Sequence, residues 1–160
     1  SNTTSGAYAI YNNDPANDVT YGKLYNWHAT VDSRGLCPSG WHVPSDCEWM
    51  YLERSIGMSI ANQESIGLRG TNEGGALKAT NNWNSPNTGA TNGSGFNALP
   101  GGGRACTGSF CDIGNVGIWW SSTESSFQHT WVRGCVYNNS NISRYGANNI
   151  DGFSVRCLRD

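Results

Sequence analysis

Between Gly67 and Gly103 the chain is dominated by Gly, Asn, Ser and Thr. Residues of this kind favour turns and left-handed backbone over long helices or strands. Trp83, Phe96 and Leu99 are nevertheless spaced through the stretch as apolar anchors, which flexible linkers seldom carry. The segment therefore predicts a long ordered loop packed on a core. Its backbone groups must be satisfied, and its many short polar side chains can do this locally. At 160 residues the chain suits one domain, 1–160, large enough to bury a core.

The flanking segments carry regular periodicity. Ala7 to Tyr11 suits a strand, Asn12-Asn13-Asp14-Pro15 a turn, and Tyr21 to Trp27 a strand or short helix. Ser45 followed by Glu48 forms a capping box, and Trp49, Leu52 and Ile56 continue as one apolar face. A helix is expected over about 45–56 and a weaker one over about 60–66. Residues 116–123 read as a buried strand. Residues 130–137 alternate, with Trp131, Arg133, Cys135 and Tyr137 on one face and Val132, Gly134 and Val136 on the other. Asn138-Asn139 is a turn signal, and strands are expected at 141–146 and 152–158. The class is α+β: one or two helices, then short antiparallel strands with long ordered loops.

Charge and cysteine usage narrow the function. The net charge is −2, and ten Lys and Arg are scattered without a basic block. Nucleic acid and anionic membrane surfaces are poor partners for such a chain. No run of apolar residues reaches membrane-spanning length, so direct insertion is not expected. The first residue is Ser1, which suggests a processed product or a domain cut from a longer protein. Six cysteines with no Cys-x-x-Cys pair fit an oxidising, extracellular setting rather than zinc or thioredoxin chemistry. Cys106 and Cys111 are close enough to close a small loop. Cys37 and Cys157 would tie the middle of the chain to its end.

Catalytic signatures are missing. Gly93-Ser94-Gly95 lacks the frame of a nucleophile elbow, and Gly101-Gly102-Gly103-Arg104 lacks the Lys and the following helix of a phosphate loop. His28, His42 and His129 share no ligand spacing. His42 reads as a structural hydrogen-bonder, and His129 as a candidate ligand contact. Asn12, Asn13, Asp14, Asn17 and Asp18 are hard oxygen donors that allow a structural calcium, although a turn is the simpler use. No other cofactor is expected.

Several motifs occur in order: Tyr11 to Asp14, Tyr21 to Trp27, Gly35 to Asp46, Gly95 to Gly102, Trp119 to Glu124 and Gly152 to Cys157. Together they resemble the Fibrobacter succinogenes major paralogous domain family over nearly the whole chain. The resemblance implies a C-type-lectin-like fold near the formylglycine-generating type, on a cell surface, secreted, or on a phage virion. It implies the pairing Cys37–Cys157 and leaves Cys47 and Cys135 open. It also implies a variable protein of a diversity-generating retroelement, which rewrites adenine-rich Asn codons. Ser125, Ser126, Phe127, His129, Arg133, Gly134, Cys135, Ser143, Tyr145, Gly146 and Ala147 could be substituted Asn codons. Asn138, Asn139, Asn141, Asn148 and Asn149 could be unsubstituted ones.

The expected function is binding of varying protein or glycan targets through 125–151. The contact set is Ser125, Ser126, Phe127, His129, Trp131, Arg133, Cys135, Tyr137, Ser143, Tyr145, Gly146, Ala147, Asn148, Asn149 and Asp151. Aromatic and small polar side chains supply contact area and adaptable hydrogen bonds, and Trp131, Arg133 and Tyr137 would form a row of anchors. In the competing reading Trp131 and Tyr137 are core, and the chain is a surface adhesin or structural domain of fixed specificity.

Overall fold

A computed structural model describes residues 4–160. In chain order the elements are β1 (Tyr8–Ala9), a 3-10 turn (Tyr11–Asn13), α1 (Pro15–Tyr21), β2 (Leu24–Tyr25), α2 (Trp27–Thr30), β3 (Trp41–His42), α3 (Asp46–Ser55), α4 (Ile60–Gln63), β4 (Gly67–Arg69) and α5 (Glu73–Leu77). Then follow β5 (Gly103–Arg104), β6 (Phe110–Cys111), β7 (Val116–Ser126), β8 (His129–Val136), β9 (Ile142–Asn148) and β10 (Leu158–Arg159). The class is α+β. One antiparallel sheet in the order β4-β9-β8-β7 dominates, with three two-stranded ribbons around it.

Helix α3 forms where its signals predict. The Ser45 hydroxyl accepts from the Glu48 amide at 3.3 Å, and Glu48 accepts from the Ser45 amide at 2.7 Å. Two otherwise orphaned donors are thereby satisfied, which contributes about 1 kcal/mol. Helix α1 replaces the expected turn. Asp14 caps it and Pro15 occupies its first turn, where a missing N–H costs nothing. The calcium-donor candidates have other work there: Asp14 accepts from Ala16, Asn17 donates to the Tyr11 carbonyl, and Asp18 pairs with Lys23 at 2.7 Å. The second expected helix is shorter, Ile60–Gln63, and the last strand contracts to Leu158–Arg159 with isolated bridges at Gly152, Phe153 and Ser154.

The sheet is covered on both faces. Adjacent residues of β7 point to opposite sides, so Trp119 and Trp120 enter different cores. Trp119 packs with Trp49, Leu77, Trp83, Cys135 and Ile142. Trp120 packs with Val132, Ala147 and Phe153. Each buried indole N–H of Trp49, Trp83 and Trp120 finds a backbone carbonyl.

The polar stretch is an ordered loop, as expected, with α5 inside it. Asn82, Asn87, Asn92 and Asn97 all take left-handed φ, a conformation Asn tolerates better than most residues. Lys78 is fully buried and gathers the loop. Its ammonium donates to the carbonyls of Thr88, Val136 and Asn139 at 2.8, 3.0 and 2.9 Å.

Cys37 and Cys157 form a disulfide. Cys106 and Cys111 do not pair, against expectation; both are free and exposed. Hydrogen bonds close that loop instead. Gly103 pairs with Cys111 and Arg104 with Phe110, while the Cys106 amide turns away to donate to Asp151. Cys47 and Cys135 are also free, the first exposed and the second buried.

His42 ties the start of α3 to the C-terminal segment. Its ring nitrogens sit 2.9 Å from Glu48 and 2.6 Å from Asp160, beside the β3–β10 pair. Hydrogen bonds to Asp160 and Glu48 raise its pKa above the ordinary 6.5. A raised folded value means the contribution is complete below the unfolded pKa and is lost as pH rises through the folded one. Unfolding stability is therefore expected to fall as pH climbs from about 6.5 through that value. His42→Gln should flatten this slope in urea titrations run across pH. An unchanged slope would assign it to other groups.

Candidate functional site

Strands β7 and β8 are joined by a tight two-residue connection, Phe127-Gln128, with Gln128 at φ 60°. Ser126 pairs with His129 across it, and irregular register between Trp120, Glu124 and Ser126 bends the strand before the tip. On the other side of β8, His129 lies opposite Asn148 and Trp131 opposite Gly146. The sheet thus brings 125–131 and 145–148 to one end of the molecule. Phe127 is 85% exposed there, and Ser126, His129 and Gly146 are exposed beside it. Ser125, Trp131, Tyr145 and Asn148 are half-buried in the same region. The His129 ring nitrogen Nδ1 lies 3.0 Å from the Phe127 carbonyl, which braces the turn.

Four members of the expected contact set lie inside the protein. Arg133, Cys135, Ala147 and Asn149 are 0%, 1%, 6% and 4% exposed. The expected alternation of β8 holds, but the face carrying Arg133 and Cys135 points inward against α3 and α5. Cys135 is core, and burial pushes its thiol up to about 12. Ala147 fills the second core. The Asn149 side-chain oxygen accepts from the Thr130 hydroxyl at 2.9 Å. Gly134 is buried too, and a Cβ there would meet Ser143 Oγ at 2.5 Å.

Tyr137 and Ser143 are half-buried away from the hairpin tip, and Tyr137 packs on the first core. Tyr145 packs against the second core, and burial raises its phenol to about 12. Asp151 is half-buried and accepts from the Cys106 amide at 2.8 Å. Burial raises its carboxyl above the ordinary range, partly offset by that bond.

Sequence reasoning missed what Arg133 does. A chain of alternating charges runs beneath the sheet: Arg144, Asp46, Arg133, Glu53, Arg69. Asp46 accepts from Arg133 and from Arg144, each at 2.7 Å. Glu53 accepts from Arg133 at 2.6 Å and from both terminal nitrogens of Arg69 at 2.7 and 2.8 Å. All five are buried. Burial alone would raise the Asp46 carboxyl, but its two arginines outweigh that and hold it below the ordinary range. Arg144 also stacks 3.5 Å above the Trp131 ring and donates to the Glu64 carbonyl. The network therefore reaches from α3 to Trp131, half-buried in β8 below the exposed hairpin end. Charged residues spaced at 46 and 53 on a helix face, opposite arginines in three strands, were the available signal.

Among the described residues no group of three or more His, Cys, Asp or Glu is placed to hold a metal ion, and no helix is long and apolar enough to cross a membrane. Comparison with curated proteins and with solved structures gives no match. The model of the Fibrobacter succinogenes major domain family matches residues 1–159. The ordered motifs and this end-to-end match agree, and the chain belongs to the Fibrobacter succinogenes major domain family.

Proposed function

We propose that this chain is an extracellular, C-type-lectin-like module that binds protein or glycan through the β7–β8 hairpin end of its sheet, without chemistry. The lectin-like reading is supported by the tying of the segment 37–42 to the C-terminal segment, through the β3–β10 pair and the Cys37–Cys157 bridge, around a long ordered loop. The observation that carries the binding reading is Phe127. A large apolar side chain is 85% exposed on a tight turn, at the tip of a sheet whose faces are both packed. A rigid base loses little entropy on binding, so such a side chain is a preorganised anchor. Ser126, His129 and Gly146 surround it with small and polar contact groups.

Diversification by a retroelement belongs to this proposal in a restricted form. Substituted Asn codons can vary at Ser125, Ser126, Phe127 and His129, and with local repacking at Ser143, Tyr145 and Gly146, where the Ser143 hydroxyl donates to the Gly134 carbonyl, Tyr145 packs on the second core and a Cβ at Gly146 would meet Ser125 Oγ at 2.5 Å. Arg133, Gly134, Cys135 and Ala147 are locked by charge pairing or packing. That burial is also what favours the alternative, an adhesin of fixed specificity. A template repeat and a reverse transcriptase beside the gene support diversification; absence of both leaves the adhesin.

Binding is tested on arrays of proteins and glycans. Phe127→Ala is expected to weaken any captured target at least about tenfold, as loss of an anchor does. Its unfolding free energy should move by less than about 0.5 kcal/mol, since the side chain is exposed. Grafting a second set of residues at 125–129, 143, 145 and 146, with Arg144 kept for its buried pair with Asp46, should change which targets are captured. Unchanged capture after both substitutions would place binding elsewhere on the molecule.

A further inference from the structure

A cavity lies away from the hairpin tip, between α3, the long loop and the C-terminal segment. Its volume is about 240 Å³, and its walls include Trp49, Leu52, Phe96 and Leu158. That is room for about one large side chain. The Cys37–Cys157 bridge stiffens one wall, because Cys157 lines the cavity.

Two charged residues border it, and they differ. Glu48 is fully engaged: one carboxylate oxygen faces His42, and the other accepts from the Ser45 amide and the Ser45 hydroxyl at 2.7 and 2.8 Å. It has little left to offer a cation. Arg156 stacks over the Phe96 ring at 4.7 Å. Among the described residues no carboxylate lies within ion-pair distance of it, whereas Arg69 and Arg144 each have one and Arg133 has two. Burial lowers its pKa with no neighbouring carboxylate acting to raise it. An arginine with five donors and no acceptor, beside an apolar cavity, is complementary to a carboxylate on an apolar body.

We propose that this cavity binds a single apolar group, aliphatic or aromatic, that carries a free carboxylate, with the apolar part against Trp49 and Leu52 and the carboxylate on Arg156. Either a small hydrophobic acid or the last residue of a peptide chain presents that chemistry. The site is independent of the hairpin, so either can fail without the other.

The test is a nuclear magnetic resonance titration of the full chain with N-acetyl-leucine, N-acetyl-leucinamide and the peptide acid N-acetyl-Gly-Gly-Leu. The acid should shift the Trp49 indole, Leu52 and Phe96 resonances, with a dissociation constant on the order of millimolar for so small a contact. The amide should bind about tenfold more weakly, because the charge-assisted hydrogen bonds are lost. Arg156→Gln should abolish the difference between acid and amide, and Arg156→Lys should keep part of it. Arg156 is exposed on its outer side, so both variants should fold, which the unchanged remainder of the spectrum checks. A tighter peptide acid identifies a chain end as the source; equal affinity identifies a free acid. Equal binding of acid and amide, an undiminished preference in Arg156→Gln, or no shifts at these residues up to about ten times the expected constant overturns the proposal.

Discussion

Glu53→Ala is expected to lower the free energy of unfolding by about 3–5 kcal/mol, a fifth or more of the roughly 5–15 kcal/mol that a domain usually holds. Glu53 is fully buried and joins two arginines that are themselves buried. Removing it strands the Arg133 Nε–H and both Arg69 terminal nitrogens in an interior where water cannot replace the lost acceptors. The penalty comes from the charges left behind rather than from any large net gain of the intact pairs, since burying ions costs nearly what their attraction returns. Two consequences separate this account from simple loss of packing. Glu53→Leu combined with Arg133→Met should cost clearly less than the sum of the single changes, with a coupling of about 0.5–3 kcal/mol. Glu53→Leu alone should remain costly, although it fills the space. Urea denaturation followed by tryptophan fluorescence measures all of these. A loss below about 1 kcal/mol for Glu53→Ala would mean that water reaches the network.

Replacing both cysteines of the bridge, Cys37→Ser with Cys157→Ser, is expected to cost about 2–5 kcal/mol. The bridge spans 120 residues of sequence, and closing a loop that long removes much of the unfolded chain's freedom. The loss should sit toward the smaller part of that range. The β3–β10 pair, through Leu158 with His42 and Arg159 with Trp41, and the His42 contact to Asp160 hold the same two segments together without the sulfurs. Reductant should bring the wild-type melting temperature down to that of the double variant and leave the variant unmoved. A variant that melts with the wild type would show that the noncovalent contacts already restrict the unfolded ensemble. The free thiols of Cys106 and Cys111 should take up an alkylating reagent in the native protein, whereas Cys135, buried with a raised pKa, should not.

Much of the architecture was readable before any coordinates. The capping box at Ser45 and Glu48 marked the start of α3, and it forms as expected. Alternation marked β8, and the apolar anchors marked an ordered loop. Trp83 proves to be core, and Phe96 and Leu99 pack against that core. His42 is the structural hydrogen-bonder its surroundings suggested. Helix α1 was legible and passed over, since Asp14 followed by Pro15 is a helix start as well as a turn. The expected Cys106–Cys111 bridge failed because nearness in sequence says nothing about where two side chains point. The backbone turn closes that loop, and the Cys111 thiol turns to the Gly103 carbonyl instead of to Cys106.

What the sequence determined by itself was local: where helices begin, which positions of a strand share a face, and which family the ordered motifs belong to. Capping, alternation and turn preference are set by residues a few positions apart, so they survive without knowledge of the fold. That both faces of β8 are covered was decided only in three dimensions. Period-two spacing groups Trp131, Arg133 and Cys135 together but carries no sign for inside or outside. Here α3 lies across that face and offers Asp46 and Glu53, so a residue that reads as an exposed anchor becomes the centre of a buried charge network. The sheet's packed faces leave the hairpin tip, with Phe127, as the surface on which new side chains cost the fold least.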